Sequence, residues 1–302
     1  MLRSGAMPLS AIPPDARAAV LTWFDVRGRA LAFRATRDPY AILVSEVMAQ
    51  QTQISRVVVA WARFLARFPT VAVLAAASPA DVLREWQGMG YDRRALNLRR
   101  AAQSIVAELG GEVPRDLAAL ERLPGIGPYT ARAVASIAFG MAVGAVDTNV
   151  RRVIGRTVGG AAGPARPAPW LQAVADASVD PERPADWTHA VMDLGATICK
   201  PRDPDCAACP LRPWCAFAAA GPVMPPPRAR SRAKPFPATT RWLRGRILDR
   251  LRAADGAAWS TVDAPIGEHD HTAVLAALAA LARDGVVEID PSDAGRARLA
   301  LV

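Results

Sequence analysis

Apolar residues recur every three or four positions through most of the first 200 residues. This spacing predicts helices over 14–29, 40–51, 53–67, 70–77, 79–87 and 93–109, and later over 168–178 and 185–197. Pro14 and Asp15 open the first of these and Gly28 lies near its end. Strand-like alternation is missing from this whole region. It enters only in the last stretch, 239–302, which reads helix (241–254), short strand (258–262), helix (271–285), strand (286–290) and strand (297–302), the order of a winged helix. A Gly, Ala and Pro-rich stretch over 159–169 sets off the helices that follow it.

Two places carry chemistry. In the helix over 40–51, Ile42, Leu43, Val44, Val47 and Met48 leave almost no polar face for Glu46, and a carboxyl in such company is a candidate for a raised pKa and for general-acid work. The second is 123–156, LPGIGPYTARAVASIAFGMAVGAVDTNVRRVIGR. Pro124 stops a helix, Gly125 and Gly127 supply a turn free to take positive φ, and Pro128 suits the first position of the next helix. Successive backbone N–H groups at such a helix start form an anion site, suited to a phosphate. Asp147 stands at the start of another helix with Arg151 and Arg152 behind it. A plain helix hairpin and a helix-capping aspartate account for the same residues.

The 302 residues are 51% hydrophobic and 22% charged, a globular composition with room for two or three units. The net charge of +9 favours a polyanionic partner such as nucleic acid, although 35 of the 37 basic residues are arginine, in an alanine-rich composition of the kind a GC-rich genome produces without selection for DNA binding. Lys200 and Lys234 are the sole lysines, so amine chemistry has few candidates. No run approaches a membrane span and 1–14 lacks the pattern of a leader, so a cytoplasmic, nucleoid-associated protein is expected, with Met7 an alternative start. All four cysteines, Cys199, Cys206, Cys209 and Cys215, fall within 17 residues. Without a leader, disulfides are disfavoured and a four-thiolate metal site is expected; spacing alone admits zinc or an iron–sulfur cluster.

LPGIGPYTA followed by VDTN resembles the helix-hairpin-helix superfamily of base-excision DNA glycosylases, and SEVMAQQTQ at 45–53 resembles its adenine-specific mismatch branch, the MutY family. The resemblance covers about 14–216. It implies an all-α fold: a six-helix barrel over 36–142 carrying the hairpin, and an iron–sulfur lobe built from 14–35 and 143–221, with the active site between them. By the same resemblance Glu46 is the catalytic acid, Asp147 the carboxylate facing the sugar, and Tyr129 occupies the position where the related endonuclease III branch has its lyase lysine. Arg29, Phe33 and Arg34 then surround the extruded adenine, although Ala32 and Phe33 replace the family's usual Pro and Trp. His189 stands where Gln or Glu is usual near the base. Gln51, Thr52, Met89 and the wedge residue Tyr91 contact the orphaned partner base, and Gly125 and Gly127 the DNA backbone. The cysteine spacing is that family's [4Fe–4S] spacing. The implied activity is removal of adenine mispaired with 8-oxoguanine or guanine, by a monomer without efficient lyase activity. Release of thymine from mispairs, or DNA binding without catalysis, are the competing activities.

Residues 221–238 hold six prolines, four basic residues and no acidic ones, which predicts a stiff basic linker. In 239–302 the charge is 8 Arg against 9 acidic residues, which points to a packing module. So short a tail leaves no room for the larger β-rich domain that reads 8-oxoguanine in the longest-studied members of the resembled family.

Overall fold

The computed structural model of the chain describes residues 11–221, 234–254 and 258–301. Most of the basic linker, and the alternative start, lie outside the described residues. The helices are α1 (Pro14–Arg27), α2 (Pro39–Ala49), α3 (Ile54–Arg67), α4 (Val71–Ala76), α5 (Pro79–Glu85), α6 (Arg93–Glu108), α7 (Leu117–Arg122), α8 (Pro128–Phe139), α9 (Thr148–Gly159), α10 (Ala168–Ala177), α11 (Pro184–Thr197), α12 (Ala216–Ala219), α13 (Thr240–Ala253) and α14 (His271–Arg283). No described helix is long and apolar enough to cross a membrane. The chain separates into two compact units.

The first unit holds, among the described residues, 11–46, 115–122 and 126–221. Its core joins Val20 and Leu21 of α1 to Val150, Val153 and Ile154 of α9, Val174 of α10, and Trp187, Val191 and Leu194 of α11. The glycine-rich stretch does not hang free here. Gly160–Ala165 winds into a 3-10 turn against α9. The fit is so close that a Cβ on Gly163 would lie 1.7 Å from the Gly155 carbonyl oxygen, so these two glycines permit a backbone-to-backbone contact no larger residue allows.

The second unit holds 47–114, 123–125 and the described tail. Phe64 of α3 meets Phe68 and Trp86 edge-on at 4.9 and 5.9 Å, and this aromatic cluster lies in its core. In the tail, Leu243, Ile247 and Leu251 of α13 are buried together with Val274, Leu278 and Leu281 of α14. The strands β1 (Ser260–Thr261), β2 (Val287–Asp290) and β3 (Asp293–Leu299) form an antiparallel sheet in the order β1-β3-β2, with Ala297 opposite both Ser260 and Ile289. The helix and strand order is that of the sequence analysis, but β3 begins four residues before the expected 297. The apolar signal marks its buried end alone, whereas Asp293 and Ala294 are exposed and Gly295 and Arg296 half-buried.

Candidate active site

Glu46 lies on α2 with only 7% of its surface exposed, as its apolar neighbours foretold. Burial pushes its carboxyl up to about 7; the Tyr129 hydrogen bond and the Arg34 charge pull it down, and Asp147 pushes it further up. Tyr129, one residue into α8, donates its hydroxyl to Glu46 Oε2 at 3.0 Å. Burial, reinforced by the carboxylates of Glu46 and Asp147, raises the phenol well above its usual range, so it keeps its proton and acts as a donor.

Asp147 caps α9, accepting from the Val150 N–H at 2.7 Å and from Asn149 Nδ2 at 3.0 Å. Arg152 Nη2 donates to Asn149 Oδ1 at 2.9 Å, and Arg152 Nε to the Cys199 carbonyl at 2.6 Å, so a continuous hydrogen-bonded path joins Asp147 to the first cysteine's backbone.

Arg29 and Arg34 converge on Asp193 of α11. Arg34 bonds it with both terminal nitrogens, at 2.8 and 2.7 Å, and Arg29 through its backbone N–H and Nε at 2.9 and 2.7 Å. Burial works to raise the Asp193 carboxyl, but these hydrogen bonds outweigh it and hold it below its usual range. His189, one turn earlier on α11, is 5% exposed, and neither ring nitrogen has a hydrogen-bond partner among the described residues. Burial drives its pKa down to about 3, with the Arg34 charge adding to the effect, so the ring is neutral and offers one donor and one acceptor. It lines an open groove together with Arg29, Arg34 and Arg37. Phe33 is buried beside them in a short 3-10 turn. Glu46, Tyr129, Asp147, His189 and Asp193 all belong to the first unit.

At the hairpin, Gly125 takes φ +78°, and a Cβ there would fall 2.7 Å from that of Asn97. Gly127 instead caps α8 in an extended conformation, φ −90°, with open space around it; the positive φ expected of the turn resides in Gly125.

In the second unit the loops of Gln51–Thr52 and Gly88–Tyr91 are fastened by Arg94 of α6. Its Nη1 donates to the carbonyls of Val47, Met48 and Gln50, and its Nη2 to Thr52 Oγ1 and the carbonyls of Met89 and Gly90. Gln51 and Tyr91 are exposed and sit at φ +54° and +49°, a region side chains seldom occupy, while Met89 is buried beneath its loop.

The four cysteines line one cavity with Arg156, Leu194, Leu211 and Phe217. Arg156 points Nη1 at Cys199 Sγ, 3.5 Å away, and lies 4.6 Å from the Phe217 ring. Among the described residues no three His, Cys, Asp or Glu side chains stand close enough to hold a single metal ion.

Residues 44–166 match the HhH-GPD superfamily of base excision DNA repair proteins. The adenine DNA glycosylase of Mycolicibacterium smegmatis is 42% identical over 234 residues, covering 77% of this chain and 79% of its own. This chain belongs to the adenine DNA glycosylase family. The human adenine DNA glycosylase is also 42% identical, over 210 residues, covering 66% of this chain and 38% of its own. Among solved structures, a thermostable thymine-DNA glycosylase superposes with a TM-score of 0.63 at 29% identity, and an endonuclease III–DNA complex with 0.58 at 25%, each over 68% of this chain and over 95% and 94% of its own. Asp193 and Arg94 carried no signal in the sequence: Asp193 meets arginines 159 and 164 residues away, and Arg94 bonds mainly backbone carbonyls.

Proposed function

We propose that the protein hydrolyses the N-glycosidic bond of adenine mispaired with 8-oxoguanine or guanine in duplex DNA. The observation that carries the reading is the buried Glu46, a carboxyl poised near neutrality and hydrogen-bonded by Tyr129. An undamaged purine leaves poorly as an anion, so protonating it is the main catalytic demand. Glu46 gives its proton to the extruded base, the bond to the sugar breaks with its electron pair going to the base, and water adds to the oxocarbenium-like sugar. Glu46, now a carboxylate, takes a proton from that water and is restored. Asp147 faces the sugar and stabilises its positive charge.

His189, neutral and without a hydrogen-bond partner among the described residues, has the donor and acceptor an adenine edge requires. Phe33 packs against the base, and Arg29 and Arg34, held by Asp193, keep the groove positive. The hairpin at Gly125 and Gly127 takes a phosphate, and Gln51, Thr52, Met89 and the wedge Tyr91 serve the partner base. The flipping cost is least at a mispair, which favours such substrates. Tyr129 in place of a lysine, with Lys200 and Lys234 elsewhere, supports base release without efficient strand cleavage.

Cys199, Cys206, Cys209 and Cys215 would hold a [4Fe–4S] cluster, since all four line one cavity and thiolates are the ligands such a cluster takes. Bound, it would supply a covalent cross-link and no reacting atom. The protein acts as a monomer, and the activity places it with the nucleoid.

Single-turnover base release from duplexes carrying A:8-oxoG, A:G and T:G tests the reading. Adenine release from the first two is expected; faster release of thymine would replace it with the thymine-specific alternative.

A further inference from the structure

The tail reaches the wedge loop within the second unit. Arg241, in the first turn of α13, lies with its guanidinium 4.3 Å from the Tyr91 ring centroid and donates from Nη1 to the Tyr91 hydroxyl at 3.1 Å. Three helical turns along, Arg252 bonds Asp92, the next residue of the loop, at 2.5 Å and donates Nε to the Leu83 carbonyl at 3.0 Å. Eleven residues at 100° each bring the two arginines to nearly the same face of α13. The flanking glycine leaves room, since even a Cβ on Gly90 would stay 3.7 Å from Arg241. The ring thus gripped is 43% exposed and sits on a residue at φ +49°.

Arg241 also differs from its neighbours. Arg244, Arg246 and Arg252 pair with Asp284, Asp249 and Asp92, and Arg250 donates to the Asp263 carbonyl, whereas Arg241, with no carboxylate partner among the described residues, makes its contacts to Tyr91. A cation over an aromatic face with a hydrogen bond to its hydroxyl fixes both the tilt and the rotation of that ring.

We propose that Arg241 is a positioning residue for Tyr91, so that the tail acts on the mispair by holding the wedge rather than as a separate DNA-binding module. This rests on Tyr91 being the wedge, and the test separates the two. In full-length protein labelled with 3-fluorotyrosine, which reports on three residues, Arg241→Ala should move the Tyr91 fluorine resonance and leave those of Tyr40 and Tyr129 in place. The thermal midpoint should change little, because Arg241 is exposed. Affinity is then measured for duplexes with a cleavage-resistant 2′-fluoro-adenosine opposite guanine or opposite thymine. Arg241→Ala should weaken mispair binding about three- to tenfold and leave paired duplex nearly unchanged. It should add nothing to Tyr91→Ala, and Arg241→Lys should recover part of the loss.

Equal losses on both duplexes, or losses that multiply with those of Tyr91→Ala, would make Arg241 a phosphate contact and overturn the inference while the wedge stands. An unmoved Tyr91 resonance would overturn it too. If Tyr91→Ala costs nothing on mispaired DNA, the wedge assignment falls and takes this inference with it.

Discussion

Tyr129 occupies Oε2 of Glu46 as a donor at 3.0 Å, and that single contact directs the acid. With Oε2 serving as an acceptor, the acidic hydrogen of a protonated Glu46 belongs on Oε1. The phenol therefore orients the proton without competing for it.

Glu46→Gln keeps the shape and the hydrogen bond from Tyr129 but has no acidic proton. Adenine release should fall by about a hundredfold to ten-thousandfold with binding to mispaired duplex retained, as read by single-turnover kinetics and a parallel binding curve. Residual release within about tenfold of the unaltered protein would remove Glu46 from the acid's role.

The same residue makes stability depend on pH. Its folded pKa of about 7 lies above the usual 4.5, so the native state holds the proton more tightly than the unfolded chain. The cost is absent below the unfolded value, grows as pH rises between the two, and is complete above about 7, reaching about 3 kcal/mol. Urea unfolding should show Glu46→Gln more stable than the unaltered protein at pH 8 and nearly equal at pH 4.5. A constant difference across this range would contradict the burial argument.

Asp147 both caps a helix and carries charge, and two substitutions part these roles. Asn caps about as well as Asp, so Asp147→Asn should fold normally and lose catalysis, while Asp147→Ala should lose catalysis and about 1 kcal/mol of stability. Activity surviving in the Asn variant would leave the cap as its whole function.

The hairpin glycines should behave unequally. Gly125→Ala meets both a positive φ and the Asn97 side chain, so thermal unfolding should show a loss of about 1–3 kcal/mol. Gly127→Ala has open space and an ordinary φ, so its effect should fall on DNA affinity alone, which a salt titration of binding would register.

Iron analysis of anaerobically purified protein should give about four irons per chain with a brown colour. Stoichiometric zinc from iron-replete cells would instead assign the cysteines to a single ion.

What was legible in the sequence was whatever is local. Glu46 declared itself through the apolar positions around it on one helix, the cysteines through their spacing, and the hairpin through Pro124 and Gly125. What stayed hidden was long-range and met backbone. Arg94 bonds carbonyls, which every residue has, so nothing in its neighbours marks it. Asp193 finds its arginines 159 and 164 residues away, and Arg241 finds Tyr91 at 150. The near-even charge balance of the tail likewise gave no sign that Arg241 spends its contacts on an aromatic ring.

Arg94 has one more consequence. Three acceptors on each of its two terminal nitrogens tie the Gln51 and Tyr91 loops into one piece, and no lysine could reproduce this with three hydrogens on a single atom. Ordering a mobile side chain at an interface costs about 0.5–1.5 kcal/mol for each one stilled. Loops tied together in the free protein have already taken that entropy loss, so whatever they meet encounters a preformed surface.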